Sequence, residues 1–266
     1  MKIAICQSAG SPGRIGKNLQ AMEKAAREAA RRGARLVIFP ELFLTGYDIG
    51  EKVLQLAEDR EGPSAREAAA IARRTGTALL YGYPEKAAGR VYNAARLVDE
   101  GGGFAANYRK THLYGAVEKR LFHPGDRLVM AEVAGVKTAI LICYDVEFPE
   151  AVRCLARAGA QLVAVPTALM RPHCRIARTV VPARAHENQL YVAYANRCGR
   201  ETVLEYCGLS CVADPRGEDL ARAGTGPALL LADIERNVIE AARDENAMAA
   251  DLRPTLYNAP PQEAGA

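Results

Sequence analysis

One pattern occurs twice in this chain, and it constrains the fold more than any other feature. Gly33-Ala34-Arg35-Leu36-Val37-Ile38-Phe39-Pro40 and Gly159-Ala160-Gln161-Leu162-Val163-Ala164-Val165-Pro166 both read G-A-x-L-V-x-x-P. A short apolar run between a glycine and a proline has the form of a buried strand, and each copy follows a helix-like segment rich in Ala, Arg and Glu. The repetition suggests two related halves, although a chain this rich in Ala, Gly and Val also produces such a match by chance. In either case helix followed by buried strand implies α/β layering.

The remaining segments extend the alternation. A strand is predicted at residues 3–6, a helix at 18–32, a strand at 36–39 and a helix opening at Gly62-Pro63-Ser64, where proline suits a first helical turn. Strands follow at 78–83, 91–98 and 104–108, with Gly101-Gly102-Gly103 as the turn between the last two. The second half reads as a strand at 137–142, a helix at 149–158 and a strand at 162–165. A helix at 181–189, strands at 191–195, 206–212 and 229–234, and a polar tail complete it. No shift in composition marks a linker, so residues 1–266 read as a single domain. The tail from about Asp251, with Pro254, Pro260 and Pro261, is expected to be extended and to pack against another subunit.

Composition removes several function classes. With 49% hydrophobic and 25% charged residues the chain is neither disordered nor fibrous. The net charge of +4 is dispersed, so nucleic acid is not an expected partner. No apolar stretch approaches the roughly 18 residues that span a bilayer, and Met1-Lys2-Ile3 leads into a strand and not a signal peptide, which reads as a cytoplasmic protein without membrane attachment. The seven cysteines form an odd set without a C-x-x-C pair, as expected of reduced thiols, and Cys207 and Cys211 read as buried strand thiols. Neither the cysteines nor the four histidines show metal-ligand spacing, so no metal is expected, and the chemistry of the candidate residues needs no organic cofactor.

Three residues at strand ends carry the candidate chemistry. Cys143 ends the apolar run Ala139-Ile140-Leu141-Ile142, where α/β sheets place nucleophiles, yet a buried structural thiol fits the same pattern. Glu41 directly follows the first copy of the repeat, where desolvation raises a carboxyl toward the range of a general base. Lys110 follows the strand at 104–108 and offers positive charge for an oxyanion. Taken singly, Glu41 also reads as a capping or turn carboxylate and Lys110 as a solvated turn lysine.

The words around these residues resemble one family in the same order along nearly the whole chain. Phe39-Pro40-Glu41-Leu42-Phe43-Leu44-Thr45-Gly46-Tyr47 is similar to the general-base segment of the nitrilase (carbon-nitrogen hydrolase) superfamily, and Tyr108-Arg109-Lys110-Thr111-His112-Leu113 to its lysine segment. Leu141-Ile142-Cys143-Tyr144-Asp145-Val146-Glu147-Phe148-Pro149-Glu150 resembles its nucleophile segment. The resemblance implies a four-layer αββα sandwich in which Glu, Lys and Cys meet at one edge of the paired sheets. It further implies a second glutamate, Glu118, holding Glu41 or the substrate amide, and the backbone N–H of Tyr144 as a second oxyanion donor. Pro182-Ala183-Arg184-Ala185-His186-Glu187-Asn188-Gln189 resembles a structural helix of related amidases, so His186 is set aside as the base of a Cys–His dyad.

Among subgroups, Tyr81-Gly82-Tyr83-Pro84-Glu85 and the lysine and nucleophile words look closest to aliphatic amidases of the 5-aminopentanamidase type. Glu147 is therefore expected to bind substrate, favouring a cationic or neutral tail, unless it serves only its own helix or the basic loop Arg171, His173, Arg175 faces the pocket and reverses the preference. The expected partner is a small-molecule amide, and the resemblance implies a homodimer or higher homo-oligomer. A nitrilase, an N-carbamoyl amidohydrolase and a non-catalytic binding protein of the same fold remain as alternatives.

Overall fold

The computed structural model describes residues 1–257. In chain order the strands are β1 (Lys2–Gln7), β2 (Leu36–Ile38), β3 (Ala78–Ala87), β4 (Arg90–Val98), β5 (Phe104–Arg109), β6 (Val129–Val133) and β7 (Val136–Ile140). They continue with β8 (Leu162–Pro166), β9 (Tyr191–Ala195), β10 (Arg200–Glu201), β11 (Leu204–Glu205), β12 (Cys211–Ala213), β13 (Asp219–Arg222) and β14 (Ala228–Asp233). The helices are α1 (Ile15–Arg31), α2 (Lys52–Gln55), α3 (Pro63–Thr75), α4 (Gly115–Leu121), α5 (Pro149–Arg157), α6 (Val181–Asn188), α7 (Arg236–Glu245) and α8 (Met248–Asp251).

Two six-stranded sheets form the centre, ordered β14-β1-β2-β3-β4-β5 and β13-β12-β9-β8-β7-β6. Strand alternation explains the layering. Ile3, Ile5, Leu36, Ile38 and Leu80 enter the core shared with the second sheet, whereas Ala4, Val37, Leu79 and Tyr81 point the other way, onto Met22 and Ala26 of α1 and Ile71 and Ala72 of α3. Val152 and Leu155 of α5 and Ala185 of α6 close the opposite side. The result is the αββα sandwich.

The repeated pattern has a structural counterpart. β1, β2 and β3 run parallel, as do β7, β8 and β9, and β2 and β8 are the central member of each trio. Each trio is flanked by antiparallel strands, β14 and β4 in one sheet and β6 and β12 in the other. The two copies thus occupy corresponding positions, and the strand within each is buried on both faces, which explains why β2 and β8 are apolar at every residue.

Other expectations change. The strand predicted at 206–212 shortens to β12, because Gly208 and Leu209 take left-handed φ values of 64° and 57° and interrupt it. The strand predicted to end at Ile142 leaves the sheet at Ile140. α4, α7 and the edge strand β13 lack the apolar runs that mark the central elements, and the edge strand β6 is partly solvated along most of its length. The tail is not extended at its start: α8 ends at Asp251 and a 3-10 turn spans Pro254–Tyr257, while Pro260 and Pro261 lie outside the described residues.

The cysteines require a correction as well. Cys174 and Cys207 are joined by a disulfide with their Cα atoms 5.6 Å apart, leaving Cys6, Cys143, Cys154, Cys198 and Cys211 free. The partners come from the loop before α6 and the segment before β12, a proximity that spacing along the chain does not reveal. Among the described residues no helix is long and apolar enough to cross a membrane.

Candidate active site

The ends of the two repeat copies meet. Beyond β2 the chain turns at Glu41, whose N–H donates to the carbonyl of Thr167, just past β8, at 3.3 Å. The turn lies against β3 at Gly82, where any side chain would collide with the backbone of Pro40–Leu42, so glycine is required there. Lys110 leaves β5 with its backbone paired to Asn93 and Gly125, both at 2.8 Å. These contacts aim both side chains inward between the sheets.

Glu41 and Lys110 are 0% exposed. The Lys110 ammonium donates to Glu41 Oε1 and to Glu118 Oε1, each at 2.7 Å. Asn93 Nδ2 also donates to Glu41 Oε1 at 2.7 Å, and the Tyr47 hydroxyl donates to Glu118 Oε1 at 2.7 Å. Glu118 Oε2 accepts from the Tyr114 N–H at 2.8 Å. Glu118 therefore reaches Glu41 through Lys110, which differs from the direct contact that the resemblance allowed. Among the described residues Glu41 Oε2 is buried without a hydrogen-bond partner.

Cys143 opens a 3-10 turn spanning Cys143–Glu147 and has φ of 47°, an uncommon conformation for a residue with a side chain. Buried Asp145 fixes this turn. Its carboxylate accepts from the Ile142 N–H at 3.0 Å, Tyr108 OH at 2.8 Å, Thr111 Oγ1 at 2.9 Å and the His112 N–H at 2.9 Å. One carboxylate thus ties the lysine segment to the cysteine segment. From the other side Arg184 of α6 donates to the carbonyls of Val146 at 3.0 Å and Glu147 at 2.9 Å, which gives the Arg-Ala-x-Glu-Asn helix a structural task.

The electrostatics follow from burial. Desolvation pushes the Cys143 thiol well above its ordinary value, the Glu41 charge adds to the rise and Lys110 opposes it. Desolvation likewise raises Glu41 against the pull of Lys110. For Lys110 burial disfavours the ammonium, but Glu41 and Glu118 outweigh it and hold the amine protonated. The resting site is a thiol beside an ammonium shared between two carboxylates, with one ammonium N–H left over. Such a set can move a proton from sulfur to a carboxylate and stabilise an oxyanion.

The outer residues separate into groups. Half-buried Tyr144 packs its ring on Tyr114 and Phe148, with centroids 5.3 and 5.0 Å away. The Glu147 carboxyl is raised by its partial burial and drawn down by His173 and Arg175, so this glutamate and the basic loop share one neighbourhood. Arg171 instead pairs with Glu205 at 2.8 Å. His186 lies on α6 with Nδ1 3.1 Å from the carbonyl of Arg216, outside the cluster.

Sequence reading missed Asn93, Tyr47, Asp145 and the buried Arg197. Tyr47 and Asp145 stood inside the quoted words, and an asparagine within the buried run Tyr92-Asn93-Ala94-Ala95 of β4 was itself a signal that a polar group waits nearby.

The carbon-nitrogen hydrolase family model matches residues 2–244. The protein described as "Hydrolase in pqqF 5'region" of Pseudomonas protegens is 46% identical over 261 residues, covering 97% of this chain and 91% of that protein. An (R)-stereoselective amidase of Pseudomonas sp. is 36% identical over 254 residues, covering 95% and 92%. The amidase from Nesterenkonia sp. AN1, solved as a double mutant in complex with acrylamide, superposes with a TM-score of 0.88 at 36% identity, covering 97% of this chain and 95% of that one. The chain belongs to the carbon-nitrogen hydrolase family of the nitrilase superfamily.

Proposed function

We propose that this enzyme hydrolyses a small aliphatic amide to a carboxylic acid and ammonia, with Cys143 as nucleophile, Glu41 as general base and Lys110 as oxyanion donor. The observation that carries the reading is the bare Glu41 Oε2, buried while Oε1 is occupied by Lys110 and Asn93. An unpartnered buried carboxylate oxygen is costly unless it has work to do.

Glu41 takes the thiol proton as Cys143 sulfur attacks the carbonyl carbon. The oxyanion is met by the spare N–H of Lys110 and by the Tyr144 N–H, inside a site where low polarity strengthens both contacts. Glu41 returns the proton to the nitrogen, the C–N bond breaks and ammonia leaves a thioester. Water then gives a proton to Glu41 and adds to the thioester, and the C–S bond breaks as that proton returns to sulfur. Glu118 holds Lys110 at the angle this requires, and Tyr47 holds Glu118.

Glu147 beside His173 and Arg175 makes the field at the mouth mixed, which favours a neutral aliphatic tail, then an ammonium tail as in an ω-amino amide, over a carboxylate. The acrylamide complex of the Nesterenkonia amidase supports a small neutral amide. Ammonia release from matched amides and nitriles, with N-carbamoyl compounds alongside, tests the reading. Amide turnover that vanishes in C143A is expected. Nitriles turned over faster than their amides would replace it with a nitrilase, and retention of a few per cent of activity in C143A would remove the cysteine mechanism.

A further inference from the structure

Arg197 lies between β9 and β10, and its side chain is 1% exposed. It faces the general-base loop and not the sheet core. Nε donates to the carbonyl of Glu41 at 3.1 Å and Nη2 to that of Leu42 at 2.7 Å, the residue forced to φ of 45°. Nη1 donates to the carbonyl of Ala9 at 3.2 Å and to Glu201 Oε1 at 2.6 Å. The other oxygen of Glu201, a residue equally buried, accepts the N–H groups of Tyr47 at 2.9 Å and Asp48 at 2.7 Å and the hydroxyl of Tyr206 at 2.9 Å.

One ion pair thus grips residues 41–42 at one end of the loop and 47–48 at the other. The first grip sits on the backbone of Glu41. The second sits on the backbone of Tyr47, whose hydroxyl holds Glu118 and through it Lys110. A buried ion pair is weak support for stability, since an apolar pair of similar size often does as well. Four directed bonds to one short loop fix geometry, which an apolar pair does not.

We propose that Arg197 and Glu201 are positioning residues: acting through the loop 41–48, they hold the Glu41 carboxylate and the Glu118–Lys110 pair in their reacting arrangement around Cys143. This rests on the roles assigned above to Glu41 and Cys143. Misplacing catalytic groups by about 1 Å costs on the order of 100-fold in rate, with little effect on substrate affinity. A loosened Glu41 also gains water, and its carboxyl then falls toward the ordinary range.

The test uses R197K, which keeps the charge but not the fork, and E201Q, which keeps the shape but not the charge, each in the full chain. Circular dichroism melting selects folded variants. Propionamide turnover is then followed against pH, and separately the rate of Cys143 alkylation by iodoacetamide against pH, with C143A correcting for the other thiols. Expected is a kcat loss of about 100-fold in R197K and about tenfold in E201Q, KM within about threefold, and a shift of the acid limb to lower pH in both readouts. The proposal is overturned if folded variants keep kcat within about threefold, or if the acid limb stays in place while activity falls. Should R197K not fold, E201Q decides by the same criteria. If the unmodified enzyme ignores propionamide, the substrate reading fails, and the alkylation limb alone decides on the clamp: movement sustains it and no movement sinks it.

Discussion

Glu41 and Glu147 are both carboxylates that burial pushes above their ordinary range, each with cations drawing it back. Their surroundings nevertheless differ in kind. Glu41 is fully buried and held through one oxygen by Lys110 and Asn93, so its free oxygen has a fixed direction. Glu147 is half-buried, its backbone carbonyl accepts from Arg184, and among the described residues no hydrogen bond reaches its carboxylate. Direction of shift therefore does not define a role. A carboxylate locked by donors presents one oxygen in one direction, whereas a half-buried carboxylate without such donors is free to turn toward any nearby charge.

The strongest way to break this distinction is to neutralise each in turn. E41Q is expected to lower kcat by about 10²- to 10⁴-fold, the range of a lost general base, and E147Q by less than about tenfold on a neutral amide. Steady-state kinetics on propionamide checks both, and equal losses would make the two carboxylates functionally alike.

K110M sharpens the same contrast, because it removes the group that locks Glu41. Transition-state stabilisation of about 2.7 to 4 kcal/mol should disappear, as for a lost oxyanion donor. Glu41 and Glu118 would be left as unpaired buried charges, so urea unfolding should also show a loss of about 3 to 5 kcal/mol. Unchanged stability would mean that a carboxyl takes up a proton at no cost, and the lock would be weaker than its geometry implies.

A pH profile reads the lock without mutation. The base form of Glu41 is lost as pH falls through its raised value, so the acid limb of kcat/KM should lie above about 4.3, the ordinary glutamate value. On the alkaline side Cys143 and Lys110 both lie well above their ordinary values, so no loss is expected through neutral and mildly alkaline pH. An acid limb at or below the ordinary glutamate value would place Glu41 in contact with water.

What sequence disclosed follows the same division between locked and open. The central strands were legible because burial on both faces writes an unbroken apolar run. Glu41 and Cys143 each follow such a run, whereas Lys110 follows the mixed edge strand β5, and all three were singled out by the surrounding words, which resemble one family. Asn93, Arg197 and Glu201 were not, since each acts across a gap of many residues that only the packed sheets close. The edge strand β6 and helix α7 carry mixed, partly solvated faces that resemble loops in one dimension. The Cys174–Cys207 link was hidden for the same reason, since its two loops meet only in the fold.

The smallest expected effect concerns the open carboxylate. Glu147 is half-exposed and compensated by His173 and Arg175, so solvent screening limits its influence on a substrate tail to about 1 kcal/mol, or roughly fivefold. 5-Aminopentanamide should therefore exceed the anionic monoamide of glutaric acid in kcat/KM by about that factor. E147R should reverse the order, since it replaces the only acid in this group by a third base. The preference should shrink as salt rises, because a rim charge is screened whereas the buried cluster is not. If the anionic monoamide is the better substrate of the unmodified enzyme, His173 and Arg175 dominate the mouth, and Glu147 serves the turn that carries Cys143 and not the substrate.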